Sequence, residues 1–537
     1  MDDLLLTTLR SRFQLDSFRP YQREIIESVL SGVPTLAILP TGGGKSLTYQ
    51  LPAILTNGVS LVISPLLSLI EDQVLELQRK KISVLRYDST LSHEDKINAL
   101  ESLELGKVKL FYTSPESLTS PALLQSLKRT QIGLIAVDEA HCISEWGHSF
   151  RPSYLYLPKI IRSLKPQAVL ALTATATRKT ASEIRKLFKI KKGDQFSSSN
   201  FRKNLHFHVV PTLECDKRTA LLSQLQRPER LPAIIYAMRQ KDCESIAAFL
   251  TKSGFNTRSY HAGLSTKARA LIQNDFLHDR IEVVVATIAF GMGIDKPNIR
   301  TVLHYHLPKS PEGWMQEAGR AGRDGLSSQC ILFACANDKI PLQNFTQAKR
   351  VRPQPIHQLL SSLYSQGKKA KLPVYHTKVR FDLHTSTLDV LLAKLEVQRH
   401  IKFQGSSWQY ARAWPAAGKP LNLKSYSKNL QKALKHILSL GEPYDSYLAK
   451  GEFNVSTKKL WEALNNLHEE QLIVLRKSGW MWDFSIGNPG ADLVEIEAEL
   501  SKSFDSQHRN AIGKIDAVEK ISLARTCIPL NLAKWFG

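Results

Sequence analysis

Cysteine is scarce in this sequence, and the few cysteines are far apart. Six occur among 537 residues, and no two of them have the Cys-x-x-Cys spacing. The sequence therefore supports neither a complete zinc site nor a disulfide framework, and we expect most of the six to be small core residues. Long apolar runs are missing as well, and no stretch approaches the length of a membrane-spanning helix.

Acidic residues are also few for a chain of this size. There are 49 Asp and Glu against 72 Lys and Arg, which gives a formal net charge of +23. A globular protein this basic most often binds a polyanion, either nucleic acid or an anionic membrane. The N-terminus is acidic and has no signal-peptide form, so we expect a cytoplasmic, nucleoid-associated protein.

A glycine-rich segment, Pro40-Thr41-Gly42-Gly43-Gly44-Lys45-Ser46, follows a short apolar run. The glycines let the backbone curl so that its N–H groups point at phosphates. Lys45 would neutralise the β- and γ-phosphates, and the Ser46 hydroxyl would hold Mg²⁺ at the start of a helix. The common phosphate-binding loop has Gly at the position of Leu39. The remaining core still predicts a nucleotide site, and a glycine turn without a ligand is the alternative.

Two adjacent carboxylates, Asp138 and Glu139, end a second apolar run, and an aromatic and cationic loop follows at 146–152. Such carboxylates suit a hydrated metal on a nucleotide phosphate. Trp146, Phe150 and Arg151 suit a single-stranded nucleic acid. The segment predicts contact with both, and the alternative is a strand followed by an ordinary loop.

Apolar runs alternate with helix-like stretches from about residue 30 to 200, and the alternation restarts after a turn-prone linker at 197–204. This pattern predicts two parallel sheets covered by helices, with ligands at the carboxyl ends of the strands. The predicted strands are 35–39, 61–64, 109–113, 134–137 and 168–172 in the first lobe, and 233–236, 257–260, 282–286, 301–305 and 330–333 in the second.

The pattern changes after about residue 345, where two helices and a hairpin give the outline of a winged helix. A similar outline recurs later, which is either a second winged helix or a coincidence of two common outlines. The predicted helices are 354–364, 385–400 and 456–471, and the predicted hairpins pair 401–403 with 408–414 and 472–476 with 480–486.

The second lobe has its own charged cluster at 314–325. Arg320 and Arg323 are three residues apart, so on a helix they would share a face and could stabilise charge on a leaving γ-phosphate. Surface arginines are the alternative. Upstream, the Gly-rich turn at 286–295 could contact phosphate, the DNA backbone, or both.

Together these segments resemble a superfamily 2 helicase of the RecQ family. The resemblance covers roughly residues 1–340 in family order, and the loop at 146–152 is its most diagnostic part. It implies an α/β fold of two RecA-like parallel-sheet lobes; from the pattern after residue 345 we expect a mostly α C-terminal region with one or two winged-helix-like modules to follow them. The matching motifs are 18–22, 40–46, 64–69, 138–152, 172–177, 260–264, 286–297 and 316–325.

The resemblance also implies roles for individual residues. Arg19 and Gln22 would read adenine, Asp138 would hold Mg²⁺ together with Ser46, Glu139 would activate water, and Arg323 would be an arginine finger supported by Arg320. The implied catalytic set is Lys45, Asp138, Glu139, Gln316, Arg320 and Arg323. The implied ATP contacts are Arg19, Gln22, Thr41, Gly42, Gly43, Gly44, Lys45, Ser46, Gly293 and Asp295. The implied DNA-binding or coupling residues are Ser64, Thr113, Trp146, Phe150, Arg151, Thr173, His261 and Thr287.

The C-terminal half departs from the family. RecQ proteins usually continue with a four-cysteine zinc module and one winged helix, but no cysteine cluster follows Cys335. Residues 517–537 resemble the helix that opens that module, with Cys527 at its first ligand position. Either the chain is cut before the remaining ligands or its lineage lost them; a plain C-terminal helix with a buried cysteine is the alternative. The order resembles the bacterial RecQ-like group called RqlH.

We therefore expect an ATP- and Mg²⁺-using 3′→5′ DNA helicase, monomeric and not membrane-bound, that acts on single-stranded and tailed duplex DNA. A translocase or RNA remodeller that does not unwind duplexes is one alternative, and a DNA-binding scaffold with an inactive ATPase is another. The expected domains are a first lobe at 1–200, a second lobe at 201–345, a winged-helix-like module at 346–415, and a helical or second winged-helix-like region at 416–537.

Overall fold

The chain forms two compact units. In the computed structural model, the first unit comprises Met1–Ala348 and Gln507–Gly537, and the second comprises Lys349–Ser506. The structure describes residues 2–144, 150–198, 202–291, 296–348, 350–417, 420–524 and 526–536. Within these ranges no helix is long and apolar enough to cross a bilayer.

The first lobe of the first unit is built on a seven-stranded parallel sheet in the order β3-β4-β2-β5-β6-β1-β7. Its strands are β1 Thr35–Ile38, β2 Val59–Ile63, β3 Val84–Tyr87, β4 Leu110–Thr113, β5 Ile132–Val137, β6 Ala168–Thr173 and β7 Gln195–Ser197.

Helices cover both faces of this sheet. They are α1 Asp2–Phe13, α2 Gln22–Leu30, α3 Leu47–Leu55, α4 Leu67–Arg79, α5 His93–Glu104, α6 Pro121–Arg129, α7 Leu157–Leu164 and α8 Arg178–Phe188. Strand β5 shows why one sheet has two cores: Ile135 and Val137 join one cluster, whereas Leu134 and Ala136 join the other. Alternate residues of a strand point to opposite faces, so a strand between two helix layers is apolar throughout.

The second lobe repeats this plan with six parallel strands in the order β10-β11-β9-β12-β13-β8. The strands are β8 Leu205–Pro211, β9 Ala233–Tyr236, β10 Thr257–Tyr260, β11 Val283–Ala286, β12 Thr301–His304 and β13 Ser328–Ala334. The helices are α9 Lys217–Leu225, α10 Gln240–Lys252, α11 Thr266–Leu277, α12 Pro311–Ala318 and α13 Lys339–Gln347. The two predicted parallel-sheet lobes are therefore confirmed.

The second unit contains a four-stranded antiparallel sheet in the order β14-β17-β15-β16. Its strands are β14 Lys369–Pro373, β15 Ile401–Pro415, β16 Tyr444–Asp445 and β17 Ile473–Ile486. Its helices are α14 Pro353–Tyr364, α15 Val374–Arg380, α16 Thr385–Val397, α17 Lys428–Leu440, α18 Ala449–Phe453 and α19 Thr457–Glu469.

The two hairpins predicted in this unit are wrong. Each predicted pair of short strands is one long strand, and β15 pairs with β17 along the full length of both. The predicted first turn is only a bulge, where the register shifts between Phe403 and Gly405. A β-bulge is favoured by the same Gly-containing sequences as a turn, but the strand continues beyond it.

The order of elements in the second unit occurs twice. Helix, short strand, short helix, helix and long strand run from α14 to β15 and again from α17 to β17. The short strand of each half pairs with the long strand of the other half, β14 with β17 and β16 with β15. Trp408 and Trp480 are register partners near the middle of the long strands.

Two further helices complete the chain, α20 Leu493–Leu523 and α21 Ile528–Phe536. In the first unit, Ile515, Val518 and Leu532 of these helices pack in the second-lobe core beside Trp314. Cys527 is exposed, so the alternative of a buried cysteine is wrong. Four other cysteines are buried as predicted: Cys142, Cys243, Cys330 and Cys335.

Candidate active site between the two lobes

A cavity of about 620 Å³ receives side chains from both lobes of the first unit. The first lobe contributes the loops that follow β1 and β5, and the second contributes α12 and the turn after it. The predicted residues that line the cavity are Arg19, Gln22, Thr41, Gly42, Gly44, Lys45, Ser46, Asp138, Glu139, Gln316, Arg320 and Arg323.

The glycine-rich loop runs from the end of β1 to the start of α3. Gly42 and Gly44 have φ values of +78° and +72°, which side-chain-bearing residues rarely adopt. Ser46 is the N-cap of α3, and its side chain makes no capping hydrogen bond. Lys45 donates from Nζ to the Leu39 carbonyl over 3.4 Å. The loop thus leads directly into the N-terminus of α3, as the predicted phosphate site requires.

Arg19 and Gln22 contact the glycine-rich loop in this structure. Gln22 donates from Nε2 to the Gly44 carbonyl at 2.9 Å and to the Gly43 carbonyl at 3.3 Å. Arg19 donates to the Gly42 carbonyl. Gly44 leaves no room for a Cβ, because that atom would overlap the Gln22 amide. The two residues that the resemblance assigns to adenine thus hold the phosphate loop as well.

Asp138 and Glu139 form a buried acidic pair beside Lys45. Asp138 is 8% exposed. Burial and then the Glu139 carboxylate raise the pKa of Asp138 to about 6, although Lys45 acts in the opposite direction. Burial also lowers the pKa of Lys45. The Asp138 carboxylate and the Ser46 hydroxyl both line this cavity and are oxygen donors of the kind that Mg²⁺ prefers, so together they fit a divalent cation.

His141 links this pair to the next strand end. Its Nδ1 lies 3.2 Å from a Glu139 carboxylate oxygen and 2.9 Å from the Thr173 hydroxyl at the end of β6. Burial would lower the pKa of His141, but Cys142 and Glu139 outweigh it and raise the pKa to about 10. Glu139 itself has a left-handed backbone, with φ at 47°. His141 therefore contacts both Glu139 and Thr173.

Arg320 and Arg323 reach the cavity from a turn, not from a helix. Helix α12 ends at Ala318, and Gly319 is its C-cap. Arg320 donates to the Gly291 carbonyl, and the Cγ of Arg323 lies 3.4 Å from where a Gly42 Cβ would stand. The predicted shared helix face is wrong, because Gly319 and Gly322 end the helix first. Both side chains nevertheless line the cavity.

Arg202 and Asn204 support this turn, and neither was among the predicted site residues. Arg202 donates from Nη1 to the Gly319 carbonyl at 3.1 Å and from Nη2 to the Gly322 carbonyl. Asn204 donates to the Gly322 and Leu326 carbonyls, each at 2.8 Å. Burial and then Arg323 lower the pKa of Arg202. The partners lie 117 residues further along the chain, so no local spacing could reveal them.

The residues predicted to contact DNA are not gathered in the cavity. Ser64, Thr113, Thr173 and His261 are buried, and the first three have internal hydrogen bonds, for example Ser64 Oγ to Asp138 Oδ2 at 3.5 Å. His261 Nε2 lies 3.2 Å from Glu244.

Three more of these residues lie in loops. Arg151 donates to the Pro65 carbonyl at 2.8 Å, Phe150 is half-buried, and Thr287 accepts from the Ala289 N–H at 3.4 Å. Trp146 lies outside the described residues, as do Gly293 and Asp295, which were predicted to contact ATP. The DNA role of the first group and the ATP role of Gly293 and Asp295 stay predictions.

A second acidic cluster lies in the second lobe. Ligand atoms of Glu214, Cys335 and Asp338 are within 4.8 Å of one another. The buried ammonium of Lys217 lies 2.8 Å from Glu214 and 2.7 Å from Asp338. The cluster therefore already holds a cation of its own.

Known proteins share both lobes. The DEAD/DEAH box helicase family matches residues 19–184, and the Helicase conserved C-terminal domain family matches residues 216–325. The probable ATP-dependent DNA helicase RecS of Bacillus subtilis is 40% identical over 361 residues, which cover 67% of this chain and 72% of RecS. The ATP-dependent DNA helicase RecQ of the same organism is 43% identical over 335 residues, or 62% of this chain and 56% of RecQ.

A solved structure has the same fold. The DUF1998 helicase MrfA bound to DNA aligns with a TM-score of 0.53 at 17% identity, over 79% of this chain and 67% of that one. The two matched families together include residues of both lobes. The chain belongs to the RecQ family of superfamily 2 DNA helicases.

Proposed function

We propose that this protein is an ATP-dependent 3′→5′ DNA helicase that unwinds tailed duplex DNA. The observation that supports this most strongly is one cavity lined by Lys45, Asp138 and Glu139 of the first lobe and by Arg320 and Arg323 of the second. A nucleotide in that cavity would touch both lobes, so its hydrolysis would change how they meet. The named activities of RecS and RecQ agree with this proposal.

The proposed chemistry assigns one task to each group. Lys45 and the loop N–H groups bind the β- and γ-phosphates, and Ser46 and Asp138 hold Mg²⁺. When bound, Mg²⁺ would neutralise charge that develops on the phosphate oxygens. Glu139 orients the attacking water and accepts its proton, and Arg323 stabilises charge on the transferred phosphoryl group.

The proposed coupling runs through the hydrogen bonds beneath the cavity. Glu139 contacts His141, and His141 contacts Thr173 at the edge of the first sheet. Asp138 contacts Ser64 at the end of the neighbouring strand β2. Thr113 and Thr173 are the last residues of β4 and β6, and Ser64 directly follows β2. We propose that the loops after these strands follow the DNA backbone, together with Trp146, Phe150 and Arg151.

Duplex unwinding tests the proposal. A duplex with a 3′ tail should be separated in the presence of ATP and Mg²⁺, whereas the same duplex with a 5′ tail should not. Lys45→Ala should abolish both DNA-stimulated phosphate release and unwinding, and Lys107→Ala, an exposed lysine elsewhere in the first lobe, should change neither. Wild-type turnover in Lys45→Ala would refute the assignment of the cavity.

A translocase or RNA remodeller without duplex separation is the second candidate. The matched families end at residue 325, and the second unit lies beyond them. Unwinding assays on the same tailed duplexes, made of DNA and of RNA, distinguish the two candidate functions. The predicted domain limits, the winged-helix and RqlH assignments, the monomeric state and the cytoplasmic, nucleoid-associated location stay predictions.

A further inference from the structure

One face of the two long strands of the second unit combines aromatic rings with arginines. Alternate register pairs of an antiparallel ribbon point to the same face. Ala411, Ala413 and Leu475 point to the opposite face and join a hydrophobic core. The pairs on the first face, named here the ribbon face, are Ser406 with Trp482, Trp408 with Trp480, Tyr410 with Ser478, Arg412 with Arg476, and Trp414 with Val474.

Much of the ribbon face is accessible to solvent. Arg412 and Arg476 are exposed, and Trp408, Tyr410 and Trp414 are half-buried. Trp480 and Trp482, at the other end of the face, pack partly against the core formed with α14 and α16. Trp408 likewise packs partly against the core on the opposite face. The accessible part therefore places Arg412 between Tyr410 and Trp414 on β15, with Arg476 beside them on β17.

The two arginines have no internal counter-charge. They are directly opposite each other in the register, where like charges destabilise a strand pair. No ion pair among the described residues includes either of them. The Arg476 guanidinium lies 5.4 Å from the centroid of the Trp414 ring, which restrains it on the surface. Two adjacent cations held in this way favour a ligand that carries repeated negative charges.

Contacts within the ribbon hold the rings beside the two arginines in position. The rings of Trp408 and Trp480 have centroids 4.6 Å apart. Tyr410 lies beside Gly479, where a Cβ would come within 2.8 Å of its ring. Flat rings spaced along a strand, with arginines between them, form the kind of surface on which unpaired bases stack while phosphates bind the cations.

We propose that the ribbon face binds single-stranded DNA, with phosphates on Arg412 and Arg476 and bases against Tyr410 and Trp414. An acidic protein segment would satisfy the two cations but would leave the series of rings without a role. The proposal rests on the proposed function, because a helicase produces the unpaired strand that this face would hold.

Equilibrium binding of a fluorescent single-stranded DNA to the full chain, measured at several salt concentrations, tests this. Each phosphate neutralised on a single strand contributes about 0.7 to the slope of log K against log salt. Arg412→Ala/Arg476→Ala should therefore reduce the slope by about 1.4. Tyr410→Ala should weaken binding about tenfold, as expected for one stacked base, and should not affect binding to a blunt duplex, whose bases are already stacked.

The matched control is Lys458→Ala/Lys459→Ala on α19, which removes the same charge from exposed positions of the same unit and should leave the slope unchanged. Arg412→Gln/Arg476→Gln should show the same loss of slope with an unchanged thermal unfolding midpoint, which would exclude misfolding as the cause. A wild-type slope in both arginine variants, an equal drop in the lysine control, or a loss confined to single-stranded RNA would overturn the proposal. The same binding measurement in a Lys45→Ala background, where ATP-driven unwinding should be lost, keeps this test independent of helicase activity. DNA binding then tests the ribbon face whether or not the protein unwinds duplexes.

Discussion

Arg202→Gln tests most directly how the second lobe positions Arg323, the proposed arginine finger. Arg202 donates to the carbonyls of Gly319 and Gly322, which bracket Arg320 and precede Arg323. Hydrogen bonds from a charged donor contribute about 1.5–3 kcal/mol each, and glutamine can replace at most one of them. A displacement of about 1 Å in a catalytic group can cost roughly 100-fold in rate. We therefore expect kcat for ATP to fall about 10- to 100-fold, with KM changed less than about threefold.

Steady-state phosphate release with saturating single-stranded DNA measures this effect, and a double-mutant cycle identifies its cause. If Arg202 acts through Arg323, then Arg202→Gln/Arg323→Ala should lose no more activity than Arg323→Ala alone. Lys203→Ala, at the exposed neighbouring position, is the control, and Arg202→Lys should recover part of the loss. Multiplicative losses in the double variant, or a loss expressed mainly in KM, would refute the reasoning.

Three other outcomes follow from the structure. Glu139→Gln should bind ATP with near wild-type affinity yet lose at least about 100-fold in turnover, as measured by nucleotide binding alongside phosphate release; normal turnover would exclude it as the base. Gly44→Ala should lower ATP affinity about tenfold or more, because φ is +72° and the new Cβ would displace Gln22; unchanged ATP binding would contradict this. Burial lowers the pKa of His306 to about 4, and its Nδ1 accepts from the Met238 N–H at 3.2 Å. On acidification the unfolded chain binds a proton at His306 before the folded chain does. The free energy of unfolding should therefore fall as pH drops from about 6.5 to 4, by about 2 kcal/mol at pH 5. In His306→Gln, the unfolding free energy measured by chemical denaturation should lack this dependence on pH.

Sequence reasoning worked best where a signal is local. Each of the ten predicted strands is present. Most are apolar runs, because a strand buried on both faces must be apolar throughout; the edge strand β10, with Thr257 and Arg258, is an exception. Strands β3, β7 and β8 were missed. All three lie at sheet edges and carry polar residues such as Arg86, Gln195 and His206, so they lack a clear apolar run. The phosphate loop and the carboxylate pair were found because each depends on adjacent residues.

The sequence was least informative where distant segments meet. The turn that carries Arg323 depends on Arg202, and the pairing of β15 with β17 joins segments about 70 residues apart in the register. A glycine signal marks a change of backbone direction or a bulge equally well, so local reading gave two hairpins instead of one ribbon. The pairing of β14 with β17 and of β16 with β15 likewise joins distant segments, and no local sequence pattern indicates it.

The discontinuity of the first unit has a consequence for synthesis. Ile515, Val518, Ile521 and Leu532 complete a core whose other buried members all precede residue 343. The ribosome therefore makes the rest of this core about 170 to 190 residues before these four, and domains generally fold as units during synthesis. Until then Trp314 and its neighbours lack that cover. The nascent second lobe should therefore be sensitive to proteases and recruit chaperones, whereas the first lobe can fold as soon as it emerges.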